Sequence, residues 1–323
     1  MTSISKVVIA SPALDKLVQP LSRDYAVIRG WLAQHPAIYL DAGVVVAAGD
    51  APLDTQLLAM MPALRLVVCA TRGYDGIDVD RLAAAGIAFS HVENVNEQDV
   101  ADHALGTMIM HRRALLEGDR LVRGGRWERA AELPNRSFSN ARVGIVGLGR
   151  IGRAVANRAS AMRMSVSWWG PREKPARWPR AGSLIELARE SDYLVVAARL
   201  HHNVGLVSRE VLDALGPTGY LVNVSRGRLV NEDALIEALR DGRLGGAALD
   251  VFEQEPTPAA RWDGVPNTFL TPHSSGKTAE AFHEMSKQVG TALARFFGTI
   301  SPESESLNED VAGPRRAGAR AAR

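Results

Sequence analysis

The run Val143-Gly144-Ile145-Val146-Gly147-Leu148-Gly149-Arg150-Ile151-Gly152 is the most informative segment of this chain. An apolar, β-branched stretch enters a Gly-x-Gly-x-x-Gly turn, and beyond it Ile151, Val155, Ala159 and Met162 fall on one helical face. This reads as a buried strand, a tight turn and an amphipathic helix. In that setting Gly147 permits the turn, Gly149 removes a side chain where a pyrophosphate must approach, and Gly152 lets helix and strand pack closely. The helix N-terminus, at Arg150 and Ile151, then offers unpaired N–H groups to phosphate. Three spaced glycines alone are a weak signal; the strand-turn-helix context is what points to dinucleotide binding.

On the C-terminal side, strands are predicted at residues 165–169, 193–197, 220–224, 246–249 and 268–270, with helices between most of them and a long helix over 278–297. On the N-terminal side, strands at 6–10, 43–47, 64–69 and 87–90 alternate with helices at 14–19, 53–60 and 79–85. A longer helix at 99–113 sets Val100, Ala104, Thr107, Met108 and His111 along one side. Strands that alternate with helices and read as continuous apolar runs predict parallel sheets covered on both faces, an α/β fold. At about 100 to 200 residues per domain, 323 residues argue for two domains.

Composition narrows the function classes. Lys+Arg 38 against Asp+Glu 36 leaves a formal charge of +2, too small for a nucleic-acid or anionic-membrane footprint. One cysteine, Cys69, excludes an internal disulfide framework and a cysteine-rich zinc site, which fits a reducing compartment, with the cytoplasm as the expected location. The apolar runs fall far short of the roughly 18 residues of a membrane helix. Lys6 followed by a short Val-Val-Ile-Ala run does not read as a secretory signal.

The strand over 165–169 ends in Gly170-Pro171-Arg172-Glu173-Lys174, so glycine stands where an acid would bind the ribose hydroxyls of NAD, and two cations follow. Arg172 and Lys174 would accommodate a 2′-phosphate, which favours NADP(H) over NAD(H). Against this, both could be solvated loop charges, with Glu173 serving as the acid.

A reduced nicotinamide supplies hydride, so the protein must orient and polarise a carbonyl and provide a proton. Arg226 in Val222-Asn223-Val224-Ser225-Arg226-Gly227, the acids of Asp250-Val251-Phe252-Glu253-Gln254-Glu255-Pro256, and His273 in Thr271-Pro272-His273 all follow predicted strands, at the edge where open α/β sheets bind ligands. Read blandly, Arg226 caps a strand and His273 is a satisfied loop histidine. His103 and His111 read as packing or surface groups on the connecting helix. Adjacent His201 and His202 point apart with no carboxylate cluster to complete a site, so no metal is expected. Trp168 and Trp169 are expected to pack at their strand.

With GLGRIG at 147–152, VNVSRG at 222–227, LDVFEQEP at 249–256 and TPH at 271–273 in this order, the chain resembles the D-isomer-specific 2-hydroxyacid dehydrogenases. GYDGID at 73–78, DVADHA at 99–104 and RGGRW at 123–127 are weaker matches, and the DVAD stretch is most similar to the glyoxylate/hydroxypyruvate reductase branch. The resemblance spans roughly residues 65–298. It implies that Arg226 binds the substrate carboxylate and carbonyl, that His273 exchanges the proton, and that Glu255, with Glu253 as competitor, orients His273. It also implies that the amides of Arg72 and Gly73 meet the substrate carboxylate and that Asp250 meets the nicotinamide carboxamide. Two departures stand out. Arg72 replaces a small or aliphatic residue, either adding a cation that suits a polyhydroxy or second anionic group or simply pointing to solvent. Ala198-Arg199-Leu200-His201-His202-Asn203 replaces a Pro-Leu-Thr-like loop beside the cofactor.

The resulting expectation is a Rossmann dinucleotide-binding domain at 99–290 inserted into a smaller flavodoxin-like substrate domain formed by 1–98 and 291–300. A tail at 301–323, poor in large aliphatic residues, reads as disordered. The expected reaction is NAD(P)H-dependent reduction of a small 2-oxo acid, glyoxylate or hydroxypyruvate before 2-ketogluconate, to the D-2-hydroxy acid by a homodimer. The alternatives are a non-enzymatic, nucleotide-sensing binding module like the corepressors that share this fold, and a dehydrogenase acting on phosphite.

Overall fold

A computed structural model describes residues 5–32, 35–200 and 203–299. The chain divides into two units, one built from residues up to Val95 and from Ala279 onward, the other from Asn96–Thr278. The expected tail at 301–323 lies outside the described residues.

Among the described residues the first unit holds five parallel strands: β1 (Lys6–Ile9), β2 (Ala26–Arg29), β3 (Val44–Ala47), β4 (Leu66–Cys69) and β5 (Ala88–His91). Their order is β2-β1-β3-β4-β5, the flavodoxin-like arrangement. Because side chains alternate across a strand, Val7, Ile9, Val44, Val46, Leu66 and Val68 fill one core while Val8, Val45, Val67 and Cys69 fill the other. Sequence reading gave no strand at β2. It is an edge strand whose four residues are all half-buried, and only Val27 and Ile28 carry a β-branched signal.

The helix Ala279–Phe296 closes the first of these cores with Val289 and Leu293, both fully buried, and with the partly buried Phe282 and Met285. Gln288 on the same helix accepts from the Glu93 amide at 2.9 Å and donates to the Glu93 carbonyl at 2.8 Å. Its whole length therefore belongs to the first unit, where the sequence had assigned only 291–300.

Among the described residues the second unit holds six parallel strands: β6 (Arg142–Val146), β7 (Ser165–Trp169), β8 (Tyr193–Val196), β9 (Tyr220–Asn223), β10 (Gly246–Leu249) and β11 (Thr268–Leu270). They lie in the order β11-β10-β9-β8-β6-β7. Outside β7 a single parallel bridge, Trp168 to Arg180, stands where a Rossmann sheet would have its third strand. Proline at 175 and 179 leaves that segment too few donors for a longer ladder. Trp168 is buried and donates to the Trp178 carbonyl at 3.1 Å, so it packs as expected.

The helix Glu97–Arg112 buries Val100, Ala101, Ala104, Thr107 and Met108. Arg158, on the helix that follows the glycine-rich turn, clamps it by donating to Asp102 at 2.6 Å and to Gln98 at 2.8 Å. His111 stacks on Tyr220 with ring centroids 3.9 Å apart and meets the Tyr193 hydroxyl at 3.0 Å. The next helix, Leu115–Arg123, buries no residue, and Leu115, Leu116 and Val122 face outward. Trp127 is 74% exposed. Among the described residues no helix is long and apolar enough to cross a membrane.

Candidate active site

Two of the three glycines at 147, 149 and 152 are constrained by the surrounding protein. Gly147 has φ +92, and a Cβ there would come within 2.8 Å of the Ala198 Cα. A Cβ on Gly152 would sit 2.1 Å from the Gly147 carbonyl oxygen. At Gly149 a Cβ would meet no protein atom within 4 Å. The turn is thus tight on two sides and open at Gly149, which stands directly before the helix Arg150–Ala161. A diphosphate fits such a place: the backbone can approach it, and Arg150 and Ile151 begin a helix whose first amides lack intrahelical partners.

Because a residue at 147 must pack against 197–198, the loop carrying Arg199 is drawn beside the turn. Lys174 folds back onto the same turn, donating to the Leu148 carbonyl at 3.0 Å, and Arg153 donates to the Pro175 carbonyl at 2.8 Å. Partial burial, then the charges of Arg153, Arg172 and Arg199, hold the Lys174 ammonium below its usual pKa. The two expected cations are accordingly part of a group of four. Arg153, on the helix after the turn, was not singled out in the sequence, and Arg199 was noted there only within a loop that departs from the family pattern beside the cofactor.

The catalytic candidates come from three neighbouring strands. Arg226 follows β9, Glu255 follows β10 and His273 follows β11, and the sheet orders these strands β11-β10-β9, so residues far apart in sequence leave the sheet side by side. Gly227 draws the first two loops together, since a Cβ there would lie 1.8 Å from the Phe252 carbonyl carbon. Asn223 shapes the first loop, accepting from the Ser225 amide at 3.2 Å and donating to the Arg226 carbonyl at 3.0 Å. Arg226 is half-buried and donates to the Ser225 carbonyl at 2.7 Å.

His273 Nδ1 lies 2.6 Å from Glu255 Oε2, and Glu255 Oε1 accepts from the Phe252 amide at 2.9 Å. Burial alone would raise the Glu255 carboxyl. The hydrogen bond from His273, the Phe252 amide and the charges of His273 and Arg226 outweigh it and hold the group below the usual carboxylate range. Of the two competing acids, Glu255 is the one at the histidine. The Glu253 amide instead donates at 2.6 Å to Glu232, which is 3% exposed and also pairs with Arg261 at 2.7 Å. Glu232 thus braces the Glu255 loop from 21 residues upstream of that amide, a role no local motif announced.

Asp250 is 1% exposed. Its Oδ1 accepts from Thr271 Oγ1 at 2.6 Å and the Ser274 amide at 2.8 Å, and its Oδ2 accepts from the Ser275 amide at 2.9 Å. Burial pushes this carboxyl up, and these hydrogen bonds, with the Ser275 hydroxyl, bring it below its ordinary value. The carboxylate therefore organises the loop that bears His273. His103, read from the sequence as a packing or surface group, has Nε2 3.3 Å from Thr271 Oγ1.

Arg72 and Gly73 belong to the first unit, just beyond β4. Thr71 Oγ1 accepts from the Gly49 amide and donates to the Gly73 carbonyl, both at 2.8 Å. Arg72 Nη2 lies 3.9 Å from Glu93 Oε1, and the same oxygen is 3.9 Å from His91 Nε2. With 28% of its side chain exposed, Arg72 is held against Glu93 rather than extended into solvent. Among the described residues no group of three His, Cys, Asp or Glu side chains could hold a metal, and His201 and His202 lie outside them.

Comparison with known proteins identifies the family. The family described as D-isomer specific 2-hydroxyacid dehydrogenase, NAD binding domain, matches residues 105–275. A glyoxylate/hydroxypyruvate reductase A of Arabidopsis thaliana is 37% identical over 300 residues, covering 90% of this chain and 96% of the relative. A 2-ketogluconate reductase of Gluconobacter oxydans is 32% identical over 255 residues, covering 78% of this chain and 82% of the relative. Among solved structures, an NADPH-dependent glyoxylate/hydroxypyruvate reductase of Sinorhizobium meliloti, in complex with NADP and malonate, matches with a TM-score of 0.82 and 31% identity over 92% of this chain and 95% of that one.

Proposed function

This chain belongs to the D-isomer-specific 2-hydroxyacid dehydrogenases, and from that premise we propose that it reduces a small 2-oxo acid to the D-2-hydroxy acid with NADPH, with glyoxylate and hydroxypyruvate as leading substrates and 2-ketogluconate behind them. The observation that carries the reading is the 2.6 Å contact between His273 and Glu255 beside Arg226 at the ends of adjacent strands. A bound reduced nicotinamide supplies the hydride. Arg226 supplies a fixed cation to hold the substrate carboxylate and polarise its carbonyl. Glu255, kept ionised, accepts from His273 Nδ1, so Nε2 is the nitrogen that hands a proton to the carbonyl oxygen. The amides of Arg72 and Gly73 bind the substrate carboxylate, and the Arg72 side chain, steadied by Glu93, favours substrates with hydroxyl or anionic groups beyond the carbonyl.

The preference for NADPH rests on Arg153, Arg172, Lys174 and Arg199, whose mutual repulsion a 2′-phosphate would relieve. The enzyme acts as a homodimer, a reading supported by the outward apolar face of Leu115, Leu116, Val122 and Trp127. Its place is the cytoplasm, in keeping with one buried, unpaired cysteine. Relatives that are named reductases favour turnover over a binding module.

The test is a panel of glyoxylate, hydroxypyruvate, 2-ketogluconate and phosphite, the last in the oxidative direction, with both nicotinamide cofactors. The reading expects oxidation of NADPH by the 2-oxo acids, faster than of NADH. Phosphite oxidation alone, or cofactor binding with no turnover, would overturn it.

A further inference from the structure

We propose that His103 is a positioning residue for the proton-exchanging His273, acting through Thr271 and Asp250. The inference rests on the role given to His273 above and adds a residue 170 positions upstream, on the helix Glu97–Arg112. A threonine hydroxyl has one proton. Thr271 Oγ1 lies 2.6 Å from Asp250 Oδ1, and an ionised carboxylate only accepts, so the Thr271 proton is committed to Asp250. Toward His103 the same oxygen can only accept. His103 Nε2, at 3.3 Å, must therefore carry a proton and donate it. The order of donation is fixed as His103 to Thr271 to Asp250.

The chain ends at the backbone of His273. That residue has φ +49, in the left-handed region that a side chain with a Cβ adopts only when its surroundings hold it there. What holds it is the shell around Asp250. The His273 amide donates to the Asp250 carbonyl at 2.8 Å, and the Ser274 and Ser275 amides donate to its carboxylate at 2.8 and 2.9 Å. Thr271 opens this loop, and its own amide continues the sheet by donating to the Leu249 carbonyl at 2.9 Å.

His103 presents its donor from a firm base. Its neighbours Val100, Ala101 and Ala104 are buried, and Asp102 is clamped by Arg158 at 2.6 Å. The imidazole thus ties the loop at the end of β11 to the helix that packs beside the cofactor turn. Without it the Thr271 oxygen loses a donor and the His273 loop loses one of its restraints. A displacement well under an ångström at a proton donor is enough to slow transfer.

The experiment compares His103→Leu, His103→Gln, Thr271→Val and the double variant His103→Leu/Thr271→Val in NADPH-dependent reduction of hydroxypyruvate, with His273→Ala alongside. Gln places an amide N–H where imidazole has Nε2–H; Leu has no donor. The expected result is a kcat about tenfold lower for His103→Leu, with KM for NADPH and the melting temperature unchanged, and most of the loss restored in His103→Gln. In the Thr271→Val background His103→Leu should cost nothing more, since the two act through one contact. If His103→Leu does not fold, His103→Asn takes its place, because its amide stops short of Thr271. The proposal is overturned if His103→Leu keeps kcat within about twofold, if Gln and Leu lose equally, or if the two losses multiply. Full turnover by His273→Ala would instead remove the reading of the site on which the proposal rests.

Discussion

Two regions at the carboxyl edge of the second sheet handle charge in opposite ways. Around His273, every charge has a counterpart or a full set of donors: Glu255 takes His273 and the Phe252 amide, and Asp250 takes Thr271, Ser274 and Ser275. Around Lys174, like charges face one another, and the hydrogen bonds of Lys174 and Arg153 end on main-chain carbonyls. The first region is organised before any ligand arrives, as an acid–base site needs to be. The second would gain most when an anion enters, which is what the proposed preference for NADPH requires.

Breaking the first region should have the largest effect. His273→Ala is expected to lower turnover by at least about a hundredfold while the dissociation constant for NADPH stays near wild type; stopped-flow kinetics with a cofactor titration measures both. Gly227→Ala forces a Cβ into the Phe252 backbone, which must move Arg226 away from Glu255. We expect about tenfold or greater loss of kcat/KM with a lowered melting temperature, read by assay and thermal denaturation. The second region should answer differently. Arg172→Ala/Lys174→Ala is expected to weaken NADPH by about ten- to a hundredfold while NADH changes little, so equal losses for both cofactors would erase the contrast between the regions.

The smallest effect concerns stability. Burial, then Arg112, depresses the His111 pKa from 6.5 to about 4. A group whose folded pKa is depressed is disfavoured in its charged form by folding, so its contribution is intact above pH 6.5 and is lost as pH falls through the window from 6.5 to about 4. His111→Phe keeps the stacking on Tyr220 and removes the titration. Its melting temperature should therefore fall less steeply across that window than that of the wild type.

The parts of this architecture that local patterns encode were legible in the amino-acid sequence. Gly152 answers a constraint within its own turn, where a Cβ would meet the Gly147 carbonyl oxygen, and β6 and β8 through β11 are short, mostly apolar runs between helix-like segments. Arg226, His273 and the acids around Glu255 stood out as candidates because each segment follows such a strand, and the family resemblance chose among them. Contacts between distant segments were not legible. The apolar spacing from Phe282 to Phe296 announces a helix but does not say that its core partners are Val7 and Val44, so its unit was misassigned over 279–290. His103 and Thr271 are 168 residues apart, and nothing beside either marks the other. Arg199 joins the Lys174 group through packing at Gly147 and Arg153 through its bond to the Pro175 carbonyl, not through any shared motif.

The central proposal is hydride transfer at a site formed by Arg226, Glu255 and His273. The most direct measurement follows a deuterium label from C4 of NADPH during reduction of hydroxypyruvate by the wild-type enzyme, with the product resolved by chirality and mass. The account predicts a D-2-hydroxy acid carrying the label at C2. An unlabelled or L-configured product, or NADPH bound and unconsumed, would contradict it.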